Sequence, residues 1–402
     1  MPFINYPPNL KDMFDTINNR LAKLETAQRF TAPNVATNPT NPRNGDIWLN
    51  TTSNAVNYID GTGAVQTFTP PPYVAGKNAI INGGFDIWQR GTAVTQVGSA
   101  NGINYLADRW TPNGYQDTRM QRITLGYQNA NLNAPYAMRN SSSTTAQISY
   151  GTRIRCSQKI ESSNSYLLAG KTVTVSYWVK FSAATISSST ATPYNNWYSS
   201  LDYYTTTTDG TMISTLPDSN FASYPFTNGT FPTTWTKVSY TATIPTGVNN
   251  VGLAFGFDGL GNTASADTAY YDLAQVQLEL DSVATPFSRA GGSIGGELAL
   301  CQRYYVQSYG GDSITTANYT STNAYGVFRF PVTMRTTPTI GFSATSNMTV
   351  YSNGAGASPS AVVNGNIATS SVEALFVGSY TSGYAGFCRL NNAGCIQASA
   401  EL

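Results

Sequence analysis

Twenty-one carboxylates and no histidine bound what this 402-residue chain can do chemically. Histidine is the commonest metal-ligating side chain and titrates near neutral pH. Without it a Ser-His-Asp triad, a Cys-His dyad and any histidine-bearing zinc site are excluded. Hydrolysis would have to use paired carboxylates, Ser-Lys, Thr or a metal held by oxygens. The carboxylates are scattered singly. Asp258, Asp267 and Asp272 lie close in sequence and could pair, and Asp202, Asp209 and Asp218 stand in or beside long polar tracts. Scattered carboxylates of this kind are usually solvated, so the expectation is a protein that is not an enzyme. The loop from Asp258 to Asp267 is rich in Gly and Asn and has the composition either of a structural Ca²⁺ loop or of a plain turn. No other cofactor is expected, because the Gly-rich stretches match neither the dinucleotide fingerprint nor the P-loop.

Binding is the chemistry that remains. Sugar rings stack on aromatic faces, and their hydroxyls are met by Asn, Asp, Gln and Ser. Tyr194, Trp197, Tyr203 and Tyr204 cluster just after a polar tract spanning 182–193, and Tyr224, Phe226 and Phe231 stand in a second tract spanning 214–234. Toward the C-terminus, Tyr309, Tyr319, Tyr325, Tyr380 and Tyr384 lie near Gly-, Ser- and Asn-rich turns. These aromatics are the candidate ligand contacts, with the C-terminal group favoured. The competing reading places Trp197 and Tyr203 in a core or a subunit interface.

Charged residues make up only 11% of the chain and aromatics 12%, where an average soluble protein is about 25% charged. Net charge is +1 with no run of one sign, so nothing electrostatic points to nucleic acid or an anionic membrane. No stretch is long and apolar enough to span a membrane, and the first residues lack the pattern of a secretory signal. Cys156, Cys301, Cys388 and Cys395 form no CxxC pair and are expected as reduced core or strand residues, with a Cys388–Cys395 hairpin disulfide as the alternative.

Residues 1–30 predict a helix. Leu10, Phe14, Ile17, Leu21 and Leu24 follow a 4-3-4-3 spacing, the narrow seam of a coiled coil. So short a helix is unstable alone, which favours self-association, and Phe14 at an a position favours three chains over two. Residues 31–76 predict a hairpin (Ile47 to Leu49 with Val56 to Ile59, between Asn44-Gly45 and Asp60-Gly61) and a Pro-rich linker. A hairpin cannot bury Trp48 unaided, so Trp48 is expected between subunits or on the coiled coil. Residues 77–290 read as a β-sandwich. Val173, Val175, Tyr177 and Val179 share one face, as do Val251, Leu253, Phe255 and Phe257, and Tyr271, Leu273, Gln275, Gln277 and Glu279. Gly291 to Gly296 reads as a flexible joint, Glu297 to Tyr305 as a short amphipathic piece, and 291–402 as a smaller β-sandwich.

Several phrases resemble a known family. Asn78 to Gly91 (NAIINGGFDIWQRG), Leu106 to Trp110 (LADRW), Ala274 to Leu280, Ala284 to Phe287, Glu297 to Tyr305, a Gly-Asp-Ile-Trp motif ending at Trp48, and Phe330 to Ile340 resemble bacteriophage tail-fibre and receptor-binding proteins. The resemblance implies a galactose-binding-like jelly roll of the carbohydrate-binding-module type over 77–290. It implies a mainly β, elongated homotrimer within the virion, assembled in the host cytoplasm. Residues 1–76 would attach it to other tail or baseplate proteins, and the distal domain would bind a host surface polysaccharide. Asp86, Trp88, Arg90, Asp108, Arg109 and Trp110 are the family's structural signature in this reading, with a carboxylate and an arginine paired under a tryptophan. A structural or decoration fibre and a polysaccharide depolymerase are the alternatives.

Overall fold

The computed structural model describes residues 33–52, 55–67, 75–95, 105–112, 118–125, 132–142, 152–184, 196–205, 221–227, 229–260 and 270–402, with positions 15, 17 and 18. The chain is mainly β with little helix. It divides into two compact units, 1–72 and 73–402. Of the predicted helical seam, Ile17 is helical and exposed, whereas Leu10, Phe14, Leu21 and Leu24 lie outside the described residues. No helix among the described residues is long and apolar enough to cross a membrane.

In the first unit the hairpin forms as Ile47–Asn50 against Ala55–Ile59. The hairpin does not stand alone. Asn34–Val35 adds in parallel on one side and Val65–Thr67 antiparallel on the other, giving four strands. Trp48 is only 1% exposed within this unit. Its indole N–H donates to Asn38 Oδ1 at 3.2 Å, so the extended segment before the hairpin covers the ring.

The second unit opens with two sheets about one core. The six-stranded sheet runs Thr236–Thr243, Thr172–Phe181, Tyr270–Leu280, Tyr136–Ser142, Thr118–Thr124, Ala93–Thr95. The five-stranded sheet runs Phe221–Thr227, Asn196–Tyr204, Asn250–Leu260, Thr152–Ile160, Thr111–Pro112. Val173, Val175, Tyr177 and Val179 from the first share a core with Leu201, Val251, Leu253 and Phe255 from the second. The alternation expected through Tyr271 breaks at Gln275, which adopts φ 51° where the pairing register shifts. This bulge changes the phase, so Tyr271, Leu273, Val276 and Leu278 face the core instead of Gln275, Gln277 and Glu279. The strand Phe221–Thr227 lies inside the second polar tract.

The C-terminal portion holds a three-stranded sheet (Tyr305–Gln307, Ile396–Ser399, Thr339–Phe342) and a seven-stranded one. The latter runs Ala355–Ala357, Met348–Ser352, Ala385–Leu390, Ser313–Asn318, Asn323–Arg329, Ser371–Val377, Ala361–Ala368. Val306, Ile314, Val350, Phe376, Cys388 and Ile396 build its core. The phrase Phe330 to Ile340 is not a strand until Thr339; Phe330 and Met334 point into the core from a turn-rich segment. Pro331 and Pro338 lack the N–H that a ladder there would need. All four cysteines are buried free thiols.

Two expectations about the connection need revision. Gly291 and Gly296 do not form a loose joint: a Cβ built on Gly291 would lie 2.2 Å from the Gly296 carbonyl carbon. Their backbones cross closely, and the glycines permit it. The following piece is the helix Ile294–Gln302, whose N-cap Ser293 accepts the Gly296 N–H. Its Glu297 is fully buried, accepting backbone N–H groups from Asn82 and Gly291.

The signature residues sit where these parts meet. Asp86 forms the bidentate pair, but with Arg289 (2.7 and 3.2 Å) and not with Arg90. Arg90 and Arg109 share Glu401. Arg109 is almost fully buried, donates to the Lys159 carbonyl at 2.8 Å and stacks over Tyr304 at 3.7 Å. Its φ is 72°, a conformation that costs a non-glycine residue about 1–3 kcal/mol. Arg90 lies 3.5 Å over Tyr305 and 3.6 Å from Asp108. Arg303 and Tyr304 both donate to Glu161, closing a second link between the portions. Trp88 and Trp110 are buried, their indole N–H groups donating to the carbonyls of Phe85 and Asn82.

Removing Glu401 strands a buried guanidinium. Glu401→Gln is expected to lower unfolding free energy by about 3–5 kcal/mol, and adding Arg109→Met to restore part of it. Denaturant titration of the full chain decides; a loss under about 0.5 kcal/mol contradicts the linkage. Burial pushes the Asp108 carboxyl up to about 6, against the pull of Arg90 and Gln89. The folded chain therefore takes up a proton that the unfolded chain, titrating near 3.8, does not hold. Stability from this group is complete below pH 4 and is lost as pH rises through 6. Asp108→Asn should improve relative to wild type by on the order of 2–3 kcal/mol between pH 4 and pH 7. Denaturation midpoints at the two pH values measure this, and a larger deficit at pH 7 refutes it.

Candidate functional site

Ser313–Asn318 and Asn323–Arg329 are neighbours in the seven-stranded sheet, yet they pair only along part of their length. Ladder pairs join Thr316, Ala317 and Asn318 to Gly326, Tyr325 and Ala324. Beyond that the strands part. Each keeps its other neighbour throughout: Ser313–Ala317 pairs with Ala385–Arg389, and Asn323–Arg329 with Ser371–Val377. The split leaves a cleft of about 720 Å³, within the ~300–1,000 Å³ usual for ligand sites. Ser313, Thr315 and Ala317 edge one side; Val327 and Arg329 edge the other; Tyr325 stands at the closed end. Gly326 keeps that end tight, since a Cβ there would meet Ile314 Cγ2 at 2.8 Å.

Aromatic rings stand in and beside the cleft, and suit an amphipathic ring. Tyr319, 77% exposed, packs edge-on against Tyr325 with centroids 5.8 Å apart. Phe387, the register partner of Thr315, stacks on Tyr351 at 4.9 Å and 19°. Gly356 leaves room for that stack, because a Cβ would lie 2.6 Å from the Tyr351 ring. Val327 is also exposed.

Charge is concentrated at the same place. Between positions 304 and 400 the sequence has five charged residues: Asp312, Arg329, Arg335, Glu373 and Arg389. Asp312, Arg329 and Glu373 line the cleft, and Arg389 is the register partner of Ser313 on its edge. Asp312 accepts the Tyr309 N–H at 2.7 Å. Glu373 accepts from the Asn366 backbone and side chain at 3.2 and 3.1 Å, across a bulge where a Cβ on Gly365 would strike its carboxylate. Both acids are thus oriented acceptors.

Of the predicted ligand aromatics, the structure brings Tyr319 and Tyr325 together, and the Tyr384 carbonyl accepts the Asn318 N–H beside them. Tyr309 is exposed on the turn preceding the cleft. Tyr380 is half-buried against the core, and burial pushes its hydroxyl up to about 12. Trp197 is not a ligand contact: it is fully buried, 4.5 Å from Tyr271, and donates to the Tyr177 hydroxyl. Tyr203, half-buried, packs on that same core, as does Phe226, and Phe231 lies within it. Tyr194 lies outside the described residues, as does the side chain of Tyr224. Asp267 and the side chain of Asp258 are likewise outside them, with Asp209 and Asp218. Asp272 is taken up by Arg139 at 2.7 and 2.9 Å, and Asp202 is buried with Ser200.

Phe387, Tyr351, Arg329, Arg389, Asp312 and Glu373 were missed. Two signals carried them. Alternation around Cys388 and Leu390 turns Phe387 and Arg389 outward, and charge is scarce enough in this region for each occurrence to be informative.

No protein-family model matches the chain, and none of the curated proteins matches it. Among solved structures it is similar to the enzymatically active domain of a tailspike protein of bacteriophage CBA120 (14% identity, TM-score 0.29). That overlap covers 52% of this chain and 22% of the tailspike domain, about a fifth of its length. TmCBM61, solved with beta-1,4-galactotriose, overlaps at 11% identity and TM-score 0.26 over 51% of this chain and 99% of that one. A cyclase from Fischerella sp. TAU overlaps at 12% and 0.27, over 51% and 96%. Overlaps of this depth define neither a family nor a ligand.

Core and cleft aromatics should separate in stability. Trp197→Ala is expected to cost about 3–5 kcal/mol, and Tyr319→Ala about 1 kcal/mol or less. Thermal and denaturant unfolding of the two variants checks this; equal losses would place Tyr319 in the fold and not in the site.

Proposed function

We propose that this chain is a bacteriophage receptor-binding protein that holds a host surface glycan, without covalent chemistry, in the cleft between Ser313–Asn318 and Asn323–Arg329. The observation that carries the reading is the meeting of exposed aromatic faces with oriented polar groups at one opening. Tyr325 in the lining, Tyr319 edge-on to it and the Phe387–Tyr351 stack on the adjoining strands offer surfaces to a sugar ring, while Asp312 and Glu373 in the lining offer acceptors to its hydroxyls. Burial of one ring face plus satisfied hydroxyls is a sufficient source of affinity. The phage setting rests on the sequence phrases around Asn82, Trp48 and Arg109. In this reading residues 77–290 are a jelly roll, the heptad positions assemble three copies as a coiled coil, and residues 1–76 dock on the virion.

Thr315→Trp tests the site directly. Thr315 is exposed, so the variant is expected to melt with wild type while its glycan affinity falls by at least about tenfold. Binding of the full chain to a bacterial glycan array and to cells reads this out. Unchanged binding by the variant moves the site elsewhere. Release of reducing ends would make the protein a depolymerase, and a wild-type chain that binds no glycan would favour a purely structural fibre.

A further inference from the structure

We propose that the cleft selects an anionic saccharide, one bearing carboxylate, sulfate or phosphate, and that Arg329 and Arg389 are the residues that recognise the charge. This rests on the glycan reading above and narrows its ligand class.

The argument begins with how the chain uses its cations. No lysine follows Lys237, and from residue 270 onward the cations are Arg289, Arg303, Arg329, Arg335 and Arg389. Three of them are held by the protein. Arg289 pairs with Asp86, Arg303 with Glu161, and Arg335 donates to the Ala400 carbonyl. Arg329 and Arg389 make no ion pair and no side-chain hydrogen bond among the described residues, and both are exposed. They are also the two arginines at or next to the cleft. Arg329 is part of its lining, and Arg389, outside the lining, is the register partner of Ser313 on the adjoining strand.

Their surroundings leave the guanidinium donors free. Arg389 lies 5.3 Å from the Tyr351 ring centroid and 5.9 Å from that of Phe387, contacts that orient the cation without using its N–H groups. The neighbouring acids have amide partners of their own. Asp312 is turned to the Tyr309 N–H and Glu373 to Asn366, and neither carboxylate lies within ion-pair distance of either arginine. An unpaired guanidinium fork in the lining and a second one beside the Tyr351–Phe387 stack match a sugar ring that carries an acidic substituent, because the fork binds carboxylate or phosphate oxygens two at a time. A neutral ring would leave both forks to water.

The test presents the full chain to an array of bacterial glycans that includes neutral, uronate-bearing, sulfated and phosphorylated members. Binding should concentrate on the anionic members, and whether uronates, sulfates or phosphates lead identifies the anion. An R329Q/R389Q double variant should lose at least about tenfold in affinity for them. Its binding should also become less sensitive to salt, with an unchanged melting temperature because neither arginine holds the fold. The R329K/R389K variant should retain part of the binding. If neutral glycans bind as tightly as their acidic counterparts and the double variant is unaffected, the anion inference is overturned and the glycan reading stands. If no glycan binds, both fall.

Discussion

The buried carboxylate of Glu401 is the constraint on which the second unit depends. It accepts from Arg90 at 3.0 Å and from the nearly solvent-free Arg109. A guanidinium in that position cannot be left unpaired without a penalty of several kcal/mol, so the segment bearing Glu401 must lie against the 105–112 turn. Tyr304 and Tyr305 complete the arrangement by stacking on Arg109 and Arg90. Together with the Glu161 link, this joins the two-sheet core before residue 290 to the sheets after it. In the seven-stranded sheet the strands Ser313–Asn318 and Ala385–Leu390 turn alternate side chains outward, so one face beside the cleft is exposed.

The chain's low charge content takes on meaning from this partition. Five of its described arginines after residue 80 serve as internal fasteners: Asp86–Arg289, Asp272–Arg139, Glu161–Arg303 and the Glu401 cluster with Arg90 and Arg109. Arg329 and Arg389 stand apart from that use, as do the acceptors Asp312 and Glu373. The split between Ser313–Asn318 and Asn323–Arg329 is a second departure from regularity, because a sheet that ran on would close it. Departures from local rules that coincide in space are what a binding site is expected to leave behind.

Strand content could be read from alternation where one face is buried, as at Val173 to Val179, whose side chains all enter the core. It failed where geometry is non-local. The bulge at Gln275 has no composition signal, and it reversed the predicted faces of the second half of its strand. The glycines at 291 and 296 read as flexibility, yet they mark a close backbone crossing that only the fold reveals. Trp48 needed the preceding segment, which carries no strand pattern of its own beyond Asn34–Val35. In the site, Tyr319 and Tyr325 could be named from turn-flanked aromatics. The placement of Arg389 opposite Ser313 could not, because it depends on register. Trp197 misled for the opposite reason: an aromatic cluster beside a polar tract looks the same whether it faces a ligand or a core.

Amide hydrogen exchange of the full chain, with and without a saturating bound glycan, tests the cleft most directly. Ser313–Thr315 and Val327–Arg329 lack ladder pairs with each other, so their cleft-side amides should exchange faster than those of Thr316–Asn318 in the free protein. Ligand is predicted to slow exchange along 313–318 and 325–329 and to leave 196–205 and 250–256 unchanged. Protection confined to those latter strands, or absent from the cleft edges, would contradict the account.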